Sequence, residues 1–129
     1  FALRDKVFID EQLVPPELER DAFDATAKHV VLMRGTRALA TGRVRMLDGE
    51  PTAKVERVAV ERGMRGTGLG RRIMEALEQR ARTLGANQVR LAAQMSALPF
   101  YERLGYAAHG DVFLDAGIEH KWMTRDLGA

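Results

Sequence analysis

Hydrophobic residues at helical spacing mark the clearest element of the chain. Leu69, Ile73, Leu77 and Leu84 recur near every fourth position with charged residues between them, and Gly85 follows where a glycine ends many helices. This pattern predicts an amphipathic helix that packs one face against a core. The apolar positions within residues 1–8 predict a second helix, which ends before the prolines at positions 15 and 16.

Runs rich in β-branched residues predict a set of strands. Gly35-Thr36 and Asp48-Gly49 lie between the first three runs and predict hairpin turns. Ser96 predicts the start of a short helix, and the early Pro99 fits its first turn, where amides lack intrahelical acceptors. The predicted strands span residues 29–34, 38–46, 54–60, 88–94, 106–114 and 118–127.

The order of these elements predicts an α/β, or α+β layered, fold in which helices pack on a sheet. The chain has 129 residues, of which 46% are hydrophobic, and it contains no internal repeat or linker-like segment. We therefore expect a single domain over residues 1–129.

Composition and charge exclude several classes of protein. The absence of cysteine excludes disulfides, thiolate nucleophiles and cysteine-ligated zinc, and it favours a cytoplasmic location. The formal net charge of +2 is too small for a protein that binds nucleic acid mainly by neutralising phosphates. No run approaches the roughly 20 apolar residues of a membrane span, and the three histidines are not spaced as metal ligands. We therefore expect no nucleic-acid partner, no membrane partner and no metal.

A glycine-rich loop between a predicted strand and the predicted amphipathic helix is the strongest candidate for a binding site. Backbone N–H groups at a helix N-terminus lack intrahelical partners, and glycines let an oxygen-rich group approach them closely. A diphosphate fits this chemistry best, although a plain glycine-rich connection remains the alternative. The loop reads Arg65-Gly66-Thr67-Gly68-Leu69-Gly70 and is followed by Arg71.

Two common nucleotide-binding fingerprints do not fit this loop. A P-loop has Lys and then Ser or Thr after its last glycine, whereas Gly70 is followed by two arginines. A dinucleotide-binding loop has its third glycine three places after the second, where this chain has Arg71.

Two motifs resemble those of the GNAT superfamily of N-acetyltransferases. The loop matches the R/Q-x-x-G-x-G/A pattern of that family and directly follows a strand, and residues 100–106, Phe-Tyr-Glu-Arg-Leu-Gly-Tyr, resemble its second signature. Residues 7–15 and 116–120 also resemble a bacterial subgroup whose substrates are mostly unassigned. The resemblance covers essentially the whole chain.

The resemblance implies a mixed, mostly antiparallel central sheet with a V-shaped splay, helices on both faces and a first strand upstream of residue 1. Acetyl-coenzyme A would lie in the splay between strands 54–60 and 88–94. Its pantetheine arm would pair with the strand edge at Val58, Ala59 and Val60. Its pyrophosphate would bind the amides of the glycine loop and Arg71.

The resemblance also gives Tyr101 a role as the acid that protonates the departing thiolate. The alternative is that Tyr101 only packs in the core with Ala97 and Leu104, which share its helical face. Glu56 occupies the position at which several family members have a base. Strand alternation predicts that Glu56 shares a face with Val58 and Val60, where burial would raise its pKa.

Two further readings of these residues stay open. Glu56 can instead form an ion pair with Arg43 or Arg45 across the strands, and ordered water can serve as the base. His120 and Gln94 are secondary candidates for contact with substrate.

The resulting hypothesis is an enzyme that moves an acetyl group directly from acetyl-coenzyme A to a primary amine. The acceptor is a small molecule or a protein amine, and a homodimer is an open alternative to a monomer. Two competing hypotheses are an acetyl-coenzyme A sensor without turnover and an interaction domain without cofactor. An acidic stretch that includes Glu17, Glu19 and Asp21 either attracts a cationic amine or only solvates the surface.

Overall fold

The computed structural model describes residues 1–11, 24 and 26–128. Within them the predicted order of elements is confirmed, and the predicted strand bounds differ from the observed ones by no more than two residues. The helices are α1 (Ala2–Arg4), which continues as a π-helix over Asp5–Glu11, α2 (Leu69–Thr83) and α3 (Leu98–Arg103). The strands are β1 (Lys28–Arg34), β2 (Arg37–Met46), β3 (Thr52–Val60), β4 (Gln88–Gln94), β5 (Ala107–Asp115) and β6 (Ile118–Asp126).

The six strands form one sheet in the order β1-β2-β3-β4-β6-β5. Only β3 and β4 pair in parallel, and the other neighbours are antiparallel. The predicted fold class, a mixed and mostly antiparallel sheet with helices, is therefore confirmed.

Helices cover both faces of the sheet. Ile73, Met74 and Leu77 of α2 are fully buried and belong to the main core, together with Val44 and Val89 of the sheet. Burying a side chain of this size contributes about 1.5–3 kcal/mol, so α2 is held mainly by this face. On the opposite face, a smaller cluster joins Leu3 and Val7 of the N-terminal helical segment to Ala59 of β3.

The second hairpin has a shorter loop than the predicted strand bounds imply. β3 begins at Thr52, two residues before the predicted start, and Leu47 donates its N–H to the carbonyl oxygen of Thr52 at 2.9 Å. The turn at Asp48-Gly49 therefore lies inside a loop over residues 47–51, in which Gly49 has a φ of +72°. The predicted turn residues lie within this loop, which is longer than the two-residue turn that Asp48-Gly49 alone predicts.

A β-bulge interrupts β3 in front of the candidate site. The register with β2 shifts between Thr41 and Arg43, and Arg57 has a φ of +57°, which is uncommon for a residue other than glycine. Residues three apart on a regular strand face opposite sides of the sheet. Here Val55 lies in the main core and Val58 also packs against that core. The alternation of faces along β3 therefore reverses at Arg57.

Strands β3 and β4 separate along their length. They pair only from Thr52 to Lys54 on β3 and from Gln88 to Arg90 on β4. Beyond those residues the two strands diverge and leave the edge of β3 unpaired on that side. The V-shaped splay that the family resemblance implies is present.

Some expectations fall outside the described residues. The predicted helix end at the prolines of positions 15 and 16, and the acidic residues Glu17, Glu19 and Asp21, lie there. Among the described helices, none is long and apolar enough to cross a membrane.

Candidate functional site

A cleft of about 620 Å³ fills the splay between β3 and β4. Both predicted catalytic residues, Glu56 and Tyr101, line it. Of the predicted cofactor-binding residues, Thr67 and Leu69 do not line the cleft, and the others do: Val58, Ala59, Val60, Arg65, Gly66, Gly68, Gly70 and Arg71. The structure thus brings most of the sequence-predicted residues to one site.

The glycine loop presents a row of unpaired backbone donors to this cleft. Within the described part of the chain, no acceptor receives a hydrogen bond from the N–H groups of residues 66–71. Gly66 and Gly68 have φ values of +82° and +86°, and a Cβ at either position would meet no atom within 4 Å. These glycines therefore serve the left-handed backbone and leave open space in front of the amides.

The remaining loop residues have structural roles. A Cβ on Gly70 would lie 3.0 Å from the Phe100 ring, so this glycine makes room for an aromatic side chain. The Thr67 hydroxyl donates a hydrogen bond to the carbonyl oxygen of Met64, and Leu69 is buried. Of Thr67 and Leu69, only the backbone amides are left to bind a ligand.

Two arginine side chains lie near the same helix end. Arg65 donates through Nε to the carbonyl oxygen of Val60 at 3.1 Å, and this contact ties the loop to the end of β3. Arg71 pairs with Glu75 one helical turn later at 3.1 Å. Because both partners of that pair are well exposed, it is weak and Arg71 can turn toward an anion.

Tyr101 lies on α3 at the wall of the cleft. Its ring contacts Phe100 and Tyr106 edge-on, with centroid distances of 5.0 and 5.8 Å. Among the described residues, none forms a hydrogen bond with its hydroxyl. Burial raises the pKa of Tyr101 to about 12, so the phenol is neutral and carries a proton at physiological pH. The side chain is both packed and able to donate.

Glu56 does not occupy the apolar face that strand alternation predicts. Because the bulge at Arg57 changes the phase of β3, Glu56 lies on the face opposite Val58 and Val60. On that face its carboxylate accepts hydrogen bonds from three cations, which we call the Glu56 cluster. The distances are 3.1 Å to Nη2 of Arg43, 2.8 Å to Nε of Arg45 and 3.0 Å to Nζ of Lys54.

The expectation of a raised pKa at Glu56 is therefore wrong. Burial alone raises the pKa of this carboxyl group, but the hydrogen bond from Arg45 and the charges of Lys54 and Arg43 outweigh it, so the pKa is lowered. The ion-pair alternative is the one that the structure shows. Lys54 was missed, although it lies two residues before Glu56 on the same strand face.

The sheet face opposite α2 carries Gln94 and His120, the two secondary candidates from the sequence. Gln94 of β4 pairs with His120 of β6, and both line the cleft with Val7 and Phe8 of the N-terminal segment. Lys54 also lies over the Trp122 ring, with its Nζ 5.2 Å from the ring centroid. Strand alternation predicts which face of β4 and β6 these side chains share. It does not predict that the N-terminal segment packs on that face. Among the described residues, no group of three or more acidic, histidine or cysteine side chains is arranged to hold a metal ion.

Known proteins with similar sequences agree with this description of the site. A family profile described as "Acetyltransferase (GNAT) domain" fits residues 3–127. The uncharacterized N-acetyltransferase YjcF of Bacillus subtilis is 42% identical over 98% of this chain and 89% of its own length.

Two solved structures share the fold over nearly the whole chain. An acyl-CoA N-acyltransferase from Pseudomonas aeruginosa is 33% identical, covers 96% of this chain and 85% of its own, and has a TM-score of 0.85. Escherichia coli ElaA is 25% identical, covers 97% and 86%, and also has a TM-score of 0.85. With its splayed sheet and its glycine loop, the chain belongs to the GNAT family of acyltransferases, which carry out acyl-coenzyme A-dependent N-acetyl transfer.

Proposed function

We propose that this enzyme transfers an acetyl group from acetyl-coenzyme A directly to a primary amine. The observation that carries the proposal is the row of unpaired N–H groups at residues 66–71, which open onto a cleft between two strands that have parted. A long thioester with a diphosphate at one end matches both parts of this site.

The diphosphate would bind the amides of the glycine loop, aided by the α2 dipole and by Arg71. The pantetheine arm has amide groups that can extend the sheet along the edge of β3 at Val58, Ala59 and Val60. This hold is made mainly by the backbone, so it depends on loop conformation more than on side-chain chemistry.

Direct transfer needs a neutral amine, a polarised carbonyl and a proton for the leaving thiolate. The amine nitrogen attacks the thioester carbon, the C–N bond forms and the C–S bond breaks. We assign the donation of a proton to sulfur to Tyr101, whose phenol remains protonated. A direct role for Glu56 as base is disfavoured because three cations lower its pKa.

The first test is binding and turnover with acetyl-coenzyme A. A ligand that binds only the native state raises its stability by RT ln(1 + [L]/Kd), so a saturating amount should raise the Tm by several degrees. Release of free thiol is then measured with a panel of primary amines: spermidine, tyramine, an aminoglycoside, lysine amide and an alanine-starting peptide. Binding without thiol release would favour a sensor, and the absence of binding would favour an interaction domain.

Gly68→Val is expected to weaken acetyl-coenzyme A binding at least tenfold. The side chain would project into the open space before the loop amides, and the φ of +86° would strain the backbone that aligns them. Isothermal calorimetry with acetyl-coenzyme A measures the affinity, and urea unfolding measures the stability.

Gly35→Val is the matched control for the backbone strain that a valine causes at a positive φ. Gly35 also has a positive φ, +60°, with open space around it, but it lies in the β1–β2 turn and does not line the cleft. Both variants should lose stability of about 1–2 kcal/mol, and only Gly68→Val should lose affinity. Equal affinity in both variants would remove the glycine loop from the binding site.

The remaining assignments are part of the same proposal. The acceptor is a small-molecule amine, with a protein amine as the alternative, and the whole of residues 1–129 acts as one domain. The cytoplasmic location and a homodimer stay predictions.

A further inference from the structure

His120 differs from the other two histidines of the chain in where it lies. It is buried, with 8% of its surface exposed, and it lines the cleft on the face opposite α2. It pairs with Gln94 at the end of β4, where that strand has already parted from β3. His29 and His109 are exposed and do not line the cleft.

The hydrogen bond of His120 determines which ring nitrogen is available. Nδ1 lies 2.7 Å from the carbonyl oxygen of Ile118. A carbonyl oxygen only accepts, so Nδ1 carries the hydrogen and, in the neutral ring, Nε2 carries the lone pair. Among the described residues, none forms a hydrogen bond with Nε2 of His120. In His29 and His109, by contrast, Nε2 is the engaged atom, at 2.8 Å from its partner in each case.

The ring is also held in a fixed orientation. It stacks on Phe113 with a centroid distance of 5.9 Å and an interplanar angle of 25°. The stack and the bond to Ile118 together fix both the tautomer and the direction of Nε2. An imidazole fixed in this way is arranged to accept a proton.

The other groups in the cleft are less suited to that task. The Glu56 carboxylate is bound by three cations, and Tyr101 holds its own proton at physiological pH. Asp115 lies at the β5–β6 turn and is exposed, so its side chain is less fixed in direction than the buried ring of His120.

We propose that His120 is the catalytic base, which accepts the proton of the acceptor amine at Nε2. This inference rests on the proposed function. As the amine nitrogen bonds to the acetyl carbon, one proton passes from nitrogen to Nε2 while the C–S bond breaks, and Tyr101 gives one proton to sulfur. Solvent returns the proton from the imidazolium to the phenolate, so the products are the N-acetyl amine and free coenzyme A.

Two substitutions separate a base from a structural histidine. In His120→Asn the amide nitrogen replaces Nδ1 and keeps the donor to Ile118, but Nε2 is lost. In His120→Gln the amide reaches the place of Nε2, but it cannot accept a proton. His109→Asn, on the outer strand and away from the cleft, is the control.

The experiment measures kcat and KM with acetyl-coenzyme A and the fastest acceptor of the amine panel, together with acetyl-coenzyme A affinity and Tm. Both His120 variants are expected to lose about 10²–10⁴-fold in kcat, the usual contribution of general base catalysis, with cofactor affinity unchanged. His109→Asn should keep the kcat of the unaltered protein.

Activity within threefold of the unaltered protein in either His120 variant would overturn the inference and leave the proposed function intact. A loss in His120→Gln alone, with full activity in His120→Asn, would mean that the bond to Ile118 matters and the lone pair does not. If the unaltered protein releases no thiol with any amine, the proposed function fails, and the inference fails with it.

Discussion

Glu56→Gln is expected to lower the free energy of unfolding by about 3 kcal/mol, the low end of the range for breaking a buried ion pair. The carboxylate is the shared anion of Arg43, Arg45 and Lys54, and Arg43 is fully buried. A neutral amide of the same shape removes the negative charge that these cations share, although Arg43 keeps Asp24, 2.9 Å from its Nη1, as an anionic partner. Urea unfolding at pH 7 measures the loss, which corresponds to a fall in Tm of about 10 °C.

Glu50→Gln is the control for the loss of one carboxylate. Its partner Arg90 lies 3.5 Å away and Glu50 is 46% exposed, so we expect a change of no more than about 0.5 kcal/mol. A Glu56→Gln protein as stable as the Glu50→Gln protein would show that the Glu56 cluster adds nothing to the fold.

The same variant gives a pH dependence with a defined sign. The pKa of Glu56 in the folded protein lies below its usual value of 4.5. Its contribution to stability is therefore fully present above about pH 4.5 and is lost as the pH falls through the lowered folded-state pKa. The stability difference between the unaltered protein and Glu56→Gln should be largest at pH 7 and should shrink at pH 3.

The elements could be predicted from the sequence because their signals are local. The apolar spacing of α2 and the hairpin turn at Gly35 each depend on a few neighbouring residues. The bulge of β3 was not predicted, because Arg57 has a side chain and gives no sign of a positive φ. The one sequence signal for the bulge is Gly42, which lies on β2 at the register shift, because a glycine within a strand often marks a bulge or a close contact. A Cβ on Gly42 would lie 2.6 Å from Cδ1 of Leu77.

The unpredicted bulge explains why the face and the pKa shift of Glu56 were predicted wrongly. The glycine loop and its place before α2 were predicted correctly, because its glycines and the following helix are adjacent in the chain. The environment of Glu56 depends on strand phase and on Lys54 and Arg45, so one unpredicted residue reversed its face and its pKa shift. The sequence made His120 only a secondary candidate, because its bond to Ile118 and its place in the cleft depend on the folded sheet.

Tyr101→Phe is expected to lower kcat by about 10²-fold or more, because the variant has no proton to give the departing thiolate. The KM for acetyl-coenzyme A should stay within about twofold, since the hydroxyl takes no part in holding the cofactor. Stability should change by less than about 0.5 kcal/mol, because no described residue forms a hydrogen bond with this hydroxyl and the ring contacts are kept. Steady-state thiol release and urea unfolding of the same preparation measure both quantities.

Tyr106→Phe is the matched control, because it should lose stability and keep kcat. The Tyr106 hydroxyl donates to the buried Glu78 carboxylate at 2.7 Å, and burial together with this bond raises its pKa, so it is held as a structural donor. Its loss should cost about 2 kcal/mol of stability, because a buried carboxylate loses a hydrogen bond, and kcat should stay unchanged. If instead Tyr101→Phe keeps full kcat, the Tyr101 hydroxyl does not protonate sulfur, the side chain only packs in the core, and the proton comes from water.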